Sequence, residues 1–290
     1  MTKRLLHLFV LALLVAAGGR SSSAADADAA PPRRIVSLVP AVTQMLYAIG
    51  AGPRLVAVSN YDREPPEVAQ LARVGGLLDP DTERILALRP DLVIVYQAQH
   101  ELEQRLTQAH IRYFEYAHKD LANVSSTLRA LGDVLGTRAG AERVATGIEA
   151  KLRAIAARVA GLPRPRVLLV ISRDPQSLRN IYADGGYGFL HDMIAIAGGR
   201  EIFDDVKREN VQPSTELILA RRPEVIIELR YGGAVTRPDD LAPWQALPSL
   251  PAVRNHRVYE LVGDVFVDAG PHVAEATEQF ARTIHPEAFK

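Results

Sequence analysis

The 290-residue sequence contains no cysteine. Disulfides, thiolate metal sites and a cysteine nucleophile are therefore excluded, as is a lipid-modified N-terminal cysteine. Excess charge of one sign is missing too, since 34 basic residues balance 34 acidic ones. Neither a nucleic-acid surface nor a charged tail follows from that composition. Histidine is scattered: His100, His110, His118, His191, His256, His272 and His285 form no close HxH or HExxH pair. That pattern argues against a dedicated zinc or manganese site, so no metal ligands are assigned. A G-x-S-x-G elbow, a phosphate loop and a dinucleotide fingerprint are all absent, so no catalytic residue is assigned and an enzyme is not expected. The glycine-rich stretch Asp184-Gly185-Gly186-Tyr187-Gly188 precedes a helical segment and reads as a turn that lets backbone approach a ligand.

A long apolar run occurs at the N-terminus alone. Lys3 and Arg4 precede an almost wholly apolar stretch from Leu5 to Ala17, and small residues follow from Ser21 to Ala25. This is the three-part pattern of a secretory signal peptide, assigned to residues 1–24, and it predicts a periplasmic location. Removing it takes away Lys3, Arg4 and Arg20 and leaves three more acidic than basic residues.

From Arg33 onward short apolar runs alternate with helical stretches. Ile35–Leu38, Leu55–Val58, Leu92–Tyr96 and Arg112–Tyr116 read as strands, with a helix over Pro40–Ile49. The alternation restarts after Pro165, with strands over Arg166–Ile171, Val225–Leu229 and Val258–Leu261 and helices over Gly188–Ala197 and Pro271–Ile284. Strand then helix, repeated, predicts mostly parallel sheets flanked by helices. Between the two blocks Val144, Ile148, Leu152, Ile155 and Val159 recur at helical spacing, which predicts one long, stiff helix ended by Gly161 and Pro163. The fold class is therefore α/β, with an N-terminal lobe over 31–138, a linker helix over 139–163 and a C-terminal lobe over 164–290.

One internal echo links the lobes. The segment Pro80 to Ile94 and the segment Pro213 to Ile227 are identical at nine of fifteen positions. Asp81 and Ser214 are placed as helix N-caps, and Glu83 and Glu216 fall in the first turn, where the helix dipole favours a carboxylate. Two equivalent carboxylates, one per lobe, also suit docking on a two-fold-symmetric partner with basic sockets.

These pieces together resemble the helix-linked family of periplasmic binding proteins that feed ABC importers. The resemblance rests on Ile35-Val36-Ser37-Leu38-Val39-Pro40, Thr82-Glu83-Arg84-Ile85, Arg89-Pro90-Asp91-Leu92-Val93-Ile94, the long helix and Gly198-Gly199. It implies a ligand cleft between the lobes, a monomer that delivers a small molecule, and an ABC permease met by Glu83 and Glu216. Within the family the chain is most similar to cobalamin binders. Tyr61, in Val58-Ser59-Asn60-Tyr61, matches a tyrosine brought to the corrin. Tyr96, Tyr182, Asp264 and Phe266 match other cleft positions. Leu77 and Asn210 stand where a cobalamin binder places tryptophans, and Asp268 stands where a cleft arginine is found. The resemblance thus implies cobalamin or a related corrinoid as transported ligand, with no resident cofactor.

Haem and ferric siderophores stay open as ligands. Haem needs an axial group, for which Tyr61, Tyr96, Tyr182, Tyr187 and Tyr231 are candidates. An anionic siderophore needs cleft arginines, for which Arg173, Arg179, Arg208 and Arg230 are candidates.

Overall fold

The computed structural model describes residues 30–233 and 241–290, so the signal-peptide segment lies outside the described residues. The first block of sequence folds into a five-stranded sheet of β1 (Ile35–Ser37), β2 (Leu55–Val58), β3 (Ala72–Arg73), β4 (Leu92–Tyr96) and β5 (Arg112–Tyr116). Its order is β3-β2-β1-β4-β5 and every pairing is parallel. The helices of this lobe are α1 (Pro40–Ala48), α2 (Thr82–Ala87), α3 (His100–Gln108) and α4 (Ala122–Leu135). The central strands β1 and β4 are buried on both faces, β4 as an apolar run and β1 as Ile35-Val36 followed by the buried Ser37. The edge strand β5 alternates between partly exposed and fully exposed positions along most of its length. This difference is what flanking helices impose on a parallel sheet.

The second sheet holds β6 (Arg166–Ser172), β7 (Tyr182–Asp184), β8 (Arg200–Glu201), β9 (Asn210–Val211), β10 (Val225–Arg230) and β11 (Val258–Val262). The order is β11-β10-β6-β7-β9, with β8 also paired to β6. Strands β11, β10, β6 and β8 run parallel, while β7 and β9 are antiparallel additions that the sequence reading did not anticipate. Both are very short, too short for a periodic signal.

Helix α5 (Arg138–Val159) joins the two blocks. It ends four residues before the expected boundary, because Gly161 turns the chain at φ +79°. Its buried stripe has two halves. Ala141, Ala145 and Ile148 come first, Ile155 and Val159 follow. On one side Arg129 of α4 bridges Glu142 and Glu149 at 2.8 and 2.7 Å. On the other Lys151 reaches Glu275 and Glu278 of α9 (Val273–Ile284) at 3.1 and 3.4 Å. A helix packed this way along its length is a stiff joint rather than a loose tether. Helix α4 stops at Gly136 in the left-handed region, which allows the tight return into α5.

The internal echo is one structural joint built twice. Asp81 Oδ1 accepts the Arg84 N–H at 3.0 Å, and Ser214 Oγ accepts the Leu217 N–H at 3.3 Å, capping α2 and α7 (Thr215–Arg221). Just past each helix comes an arginine held at positive φ, Arg89 at 48° and Arg222 at 51°. The carbonyl of each accepts a guanidinium N–H from an arginine at the start of a strand, Arg34 just before β1 to Arg89 at 3.2 Å and Arg166, the first residue of β6, to Arg222 at 3.0 Å. The acid two residues on, Asp91 or Glu224, then accepts the N–H of that same Arg34 or Arg166, at 2.9 Å in both lobes. Identical residues at these spacings therefore have a shared structural reason. They also place Glu83 and Glu216 at equivalent, exposed positions in the first helical turn.

Candidate ligand-binding cleft

In an open parallel sheet the loops after the strand carboxyl ends form the natural crevice, above all where strand order reverses. Here the carboxyl ends of both sheets supply one cleft. Beyond β2 comes the turn Ser59–Asp62, beyond β5 comes His118, beyond β10 comes Tyr231 and beyond β11 comes Asp264. Two adjoining chambers occupy it, of about 870 and about 210 Å³.

The larger chamber has Gln44 and Tyr47 of α1 and the loop residues Arg63, Glu64 and Glu67 on one side. Arg230, Tyr231, Asp264, Asp268 and His272 face them from the other lobe. Its cations are already engaged. Arg230 pairs with Glu260 at 2.6 Å and Glu228 at 3.5 Å, and Arg63 lies 3.7 Å from Asp264. The other oxygen of Asp264 accepts the Gly232 N–H at 2.5 Å and so holds the loop after β10. Asp268 accepts a hydrogen bond from Gln44 Nε2 across the cleft at 3.0 Å. Burial raises its pKa to about 6; the Gln44 bond opposes that rise, and the fields of Asp264 and Asp62 add to it.

The smaller chamber is lined by His118, Tyr182, Asp184, Tyr187, Phe189, Glu209, Asn210 and Tyr231, among others. Phe189 opens α6 (Phe189–Ile196), and its ring meets His118 edge-on at 4.8 Å. His118 in turn meets Tyr116 at 5.9 Å, and Tyr116 meets Tyr96 at 6.2 Å. A row of rings thus runs from the first lobe into the second. Burial lowers the pKa of His118, so its imidazole is neutral at pH 7. A further stitch between lobes runs from the Leu121 N–H to Asp192 Oδ2 at 3.0 Å.

The structure separates the residues expected at the site. Tyr182 and Asn210 line the smaller chamber and Asp264 the larger. Tyr61 lines neither chamber and stands 65 % exposed, on a turn pinned where Asp62 Oδ2 accepts both the N–H and the Oγ–H of Ser59, at 2.9 and 2.6 Å. Leu77 is half-buried, and its carbonyl accepts from Gln99 at 2.8 Å. Tyr96 is half-buried at the end of β4, where it forms the first-lobe end of the ring row and lines neither chamber. Phe266 departs from expectation: its ring is 1 % exposed and packs on Phe280 at 5.4 Å, in the core rather than on the cleft wall. The arginines considered for a siderophore divide likewise. Arg173 is buried and clamped on Glu228 through two bonds of 2.6 and 3.0 Å, with Trp244 Nε1 donating to the same carboxylate at 2.5 Å. Arg179 and Arg208 are exposed. Gln44, Arg63, His118 and Phe189 had no place among the expected cleft residues, and Asp184 had one only as the first residue of the glycine-rich turn. His118 follows a strand end, and that position was the one signal able to flag it; Tyr231, already a candidate axial group, follows a strand end as well.

Known proteins share this architecture. A profile of the periplasmic binding protein family matches residues 35–265. An uncharacterised ABC transporter substrate-binding lipoprotein of Bacillus subtilis, YvrC, is 26 % identical over 269 residues, covering 89 % of this chain and 82 % of the relative. A vitamin B12-binding protein of Vibrio cholerae is 29 % identical over 251 residues, covering 86 % and 88 % of the two chains. The crystal structure of the periplasmic vitamin B12 binding protein BtuF of Vibrio cholerae superposes with a TM-score of 0.76 at 28 % identity, over 90 % of this chain and all of that one. A periplasmic haem-binding protein, RhuT of Roseiflexus, superposes with a TM-score of 0.73 at 25 % identity, again over 90 % of this chain and all of that one. The two-lobed α/β fold, the helix that joins its halves and the match over most of its length lead to one conclusion: the chain belongs to the periplasmic binding protein family, the substrate-binding components of ABC importers.

Proposed function

We propose that this protein captures a corrinoid, cobalamin or a close relative, outside the cytoplasm and delivers it to an ABC permease. The observation that carries the choice of ligand is the charge of the larger chamber. Asp264, Asp268, Glu64 and Glu67 line it, while Arg63 and Arg230 lie beside acidic partners. A macrocycle whose edge carries neutral amides finds acceptors there for its N–H groups. The carboxylates of haem, or the anionic oxygens of a ferric siderophore, meet like charge instead, which is a strong discriminant across a desolvated contact. The vitamin B12-binding relatives support the same ligand. Glu83 and Glu216, equivalent in the two lobes and exposed, are the groups proposed to meet the permease.

Haem is the second reading, and one observation favours it. Neither ring nitrogen of His118 has a hydrogen-bond partner among the described residues, and this neutral imidazole lies on the smaller chamber. Calorimetric titration of the purified protein with cyanocobalamin and, separately, haemin decides between the two. A one-to-one cobalamin isotherm with weak or absent haemin binding is expected. Haemin binding with a shifted Soret band and no response to cobalamin overturns the corrinoid assignment.

A further inference from the structure

Acidic groups of both lobes converge on the larger chamber. Four carboxyl groups line it, Asp264, Asp268, Glu64 and Glu67, against two guanidinium groups, Arg63 and Arg230. Neither cation offsets that excess in full. Arg230 is held at 2.6 Å by Glu260 and at 3.5 Å by Glu228, two further acids that stand outside the lining. Arg63 lies 3.7 Å from Asp264, with half of its side chain in solvent. Two groups in the chamber register the resulting field. Burial raises the pKa of the Tyr47 phenol, and the charges of Glu67 and Asp62 raise it further. Burial does most to raise Asp268, and Asp264 and Asp62 add to that rise against the Gln44 hydrogen bond.

The chamber is also richer in acceptors than in neutral donors. An ionised carboxylate accepts hydrogen bonds and donates none. Beside the acids stand the Gln44 amide, whose Nε2 already donates to Asp268 at 3.0 Å, and the Tyr47 phenol. A primary amide on the edge of a ligand brings N–H donors to such a wall. A carboxylate of the same size and shape brings acceptors and a negative charge, so it leaves acceptors facing acceptors and like charges together. Position in the chamber grades the effect. Glu64 and Glu67 are exposed, where salt screens them, whereas Asp264 and Asp268 are half-buried and screened much less.

Resting on the corrinoid reading above, we propose that the larger chamber is a charge filter among corrinoids, which takes macrocycles whose peripheral arms are all amides and rejects those with an arm ending in a free carboxylate. The protein then passes over the products of incomplete amidation or of amide hydrolysis, although these share the macrocycle and the size of the accepted ligand.

The test titrates the purified chain calorimetrically at pH 8, where Asp268 is ionised. The ligands are cyanocobalamin, its monocarboxylic acids made by hydrolysing one peripheral amide, and the methyl esters of those acids. The acids are expected to bind roughly tenfold more weakly than cyanocobalamin or worse, as a like-charge contact at partial burial requires. The esters, which lack the charge, should recover most of that loss. The ratio of acid to cyanocobalamin affinity should shrink several-fold in Asp268→Asn and, separately, in a chain carrying Glu64→Gln with Glu67→Gln, both exposed side chains. That ratio is the readout, because lost packing or partial unfolding weakens both ligands alike. Acids that bind within about threefold of cyanocobalamin overturn the inference. Esters as weak as the acids, or a ratio unmoved in both altered chains, overturn it as well. Each of these results leaves the corrinoid reading standing, because cyanocobalamin still binds. Failure of cyanocobalamin and its acids alike to bind removes the two readings together.

Discussion

Asp268 makes the affinity of this protein a function of pH, with a sign that follows from its surroundings. The carboxyl faces Gln44 of α1, which donates to it, and it feels the negative fields of Asp264 and Asp62. Tyr116 of β5 is also near enough to sense its charge. Its pKa of about 6 in the folded protein means that acid of pH 5 neutralises most of it. An ionised carboxylate accepts amide N–H groups more strongly than a neutral acid does. On the corrinoid reading proposed above, ligand binds the ionised form and competes with the proton. One-proton linkage then predicts affinity that is flat above about pH 7 and a dissociation constant roughly tenfold higher at pH 5. Folding stability changes in the opposite sense. The folded carboxyl holds its proton more tightly than the unfolded one, so this group stabilises the fold at low pH and loses that contribution as pH rises to about 6. Loss of binding in acid is thus not unfolding through the same residue. The assay is cyanocobalamin titration between pH 5 and pH 8, with Asp268→Asn as the control that flattens the profile. Wild-type affinity that is unchanged or stronger at pH 5, or an Asp268→Asn chain that keeps the wild-type profile, refutes the reasoning.

Other consequences are equally open to measurement. Trp244→Phe removes the indole donor from Glu228 and should cost about 1–3 kcal/mol in urea unfolding. Arg173→Met leaves that buried carboxylate without its bidentate partner and should cost more, about 3–5 kcal/mol; the reverse order would show that Glu228 is not held as a charge. Burial and their mutual repulsion keep Asp184 and Glu201 protonated well above the usual carboxylate range, so wild-type stability should fall between pH 5 and pH 8, and fall less in Asp184→Asn, read from urea midpoints. Gly132→Ala drives a methyl to within 2.4 Å of the Ala141 Cβ and should destabilise the α4–α5 contact by about 1–3 kcal/mol. By contrast, Gly147→Ala in the interior of α5 meets open space and should raise the melting temperature, through about 0.5–1 kcal/mol of helix propensity. Charge reversal at both Glu83 and Glu216 should abolish uptake through the permease while cobalamin affinity in solution stays unchanged; a fall in that affinity would remove their docking role.

Local patterns made much of the fold legible in the sequence. The strands over Leu92–Tyr96 and Arg112–Tyr116 lie where the apolar runs placed them, and helix α5 follows its stripe of Ala, Ile and Val. These elements are long or strongly periodic, so neighbours three to four residues away suffice to define them. The echo was legible for the same reason, because a cap, a proline stop and a buried strand are all written within fifteen residues. Strands β7, β8 and β9 were not legible, since two or three residues carry no period and exist as strands through their partners alone.

The site depended far more on tertiary structure. Nothing local distinguishes Phe266, buried against Phe280, from Tyr182, which lines a chamber. Both are aromatic residues at strand ends or turns, and which way each faces is decided by what packs on it from another element. Asp268 acquires its raised pKa from burial that no window of sequence contains and from the field of Asp62 in the other lobe, against the opposing hydrogen bond of Gln44, 224 residues away. Asp184 likewise has its pKa raised by burial within the second lobe, in the fields of Asp192 and Glu209 and beside the buried Glu201. The sequence by itself determined the family, the two lobes and the joint built twice, because those rest on contacts close along the chain. The shape of the cleft, its division at Tyr231 and the charge of its floor were decided by the tertiary structure, because each is a relation between residues that meet only when the two sheets share a cleft.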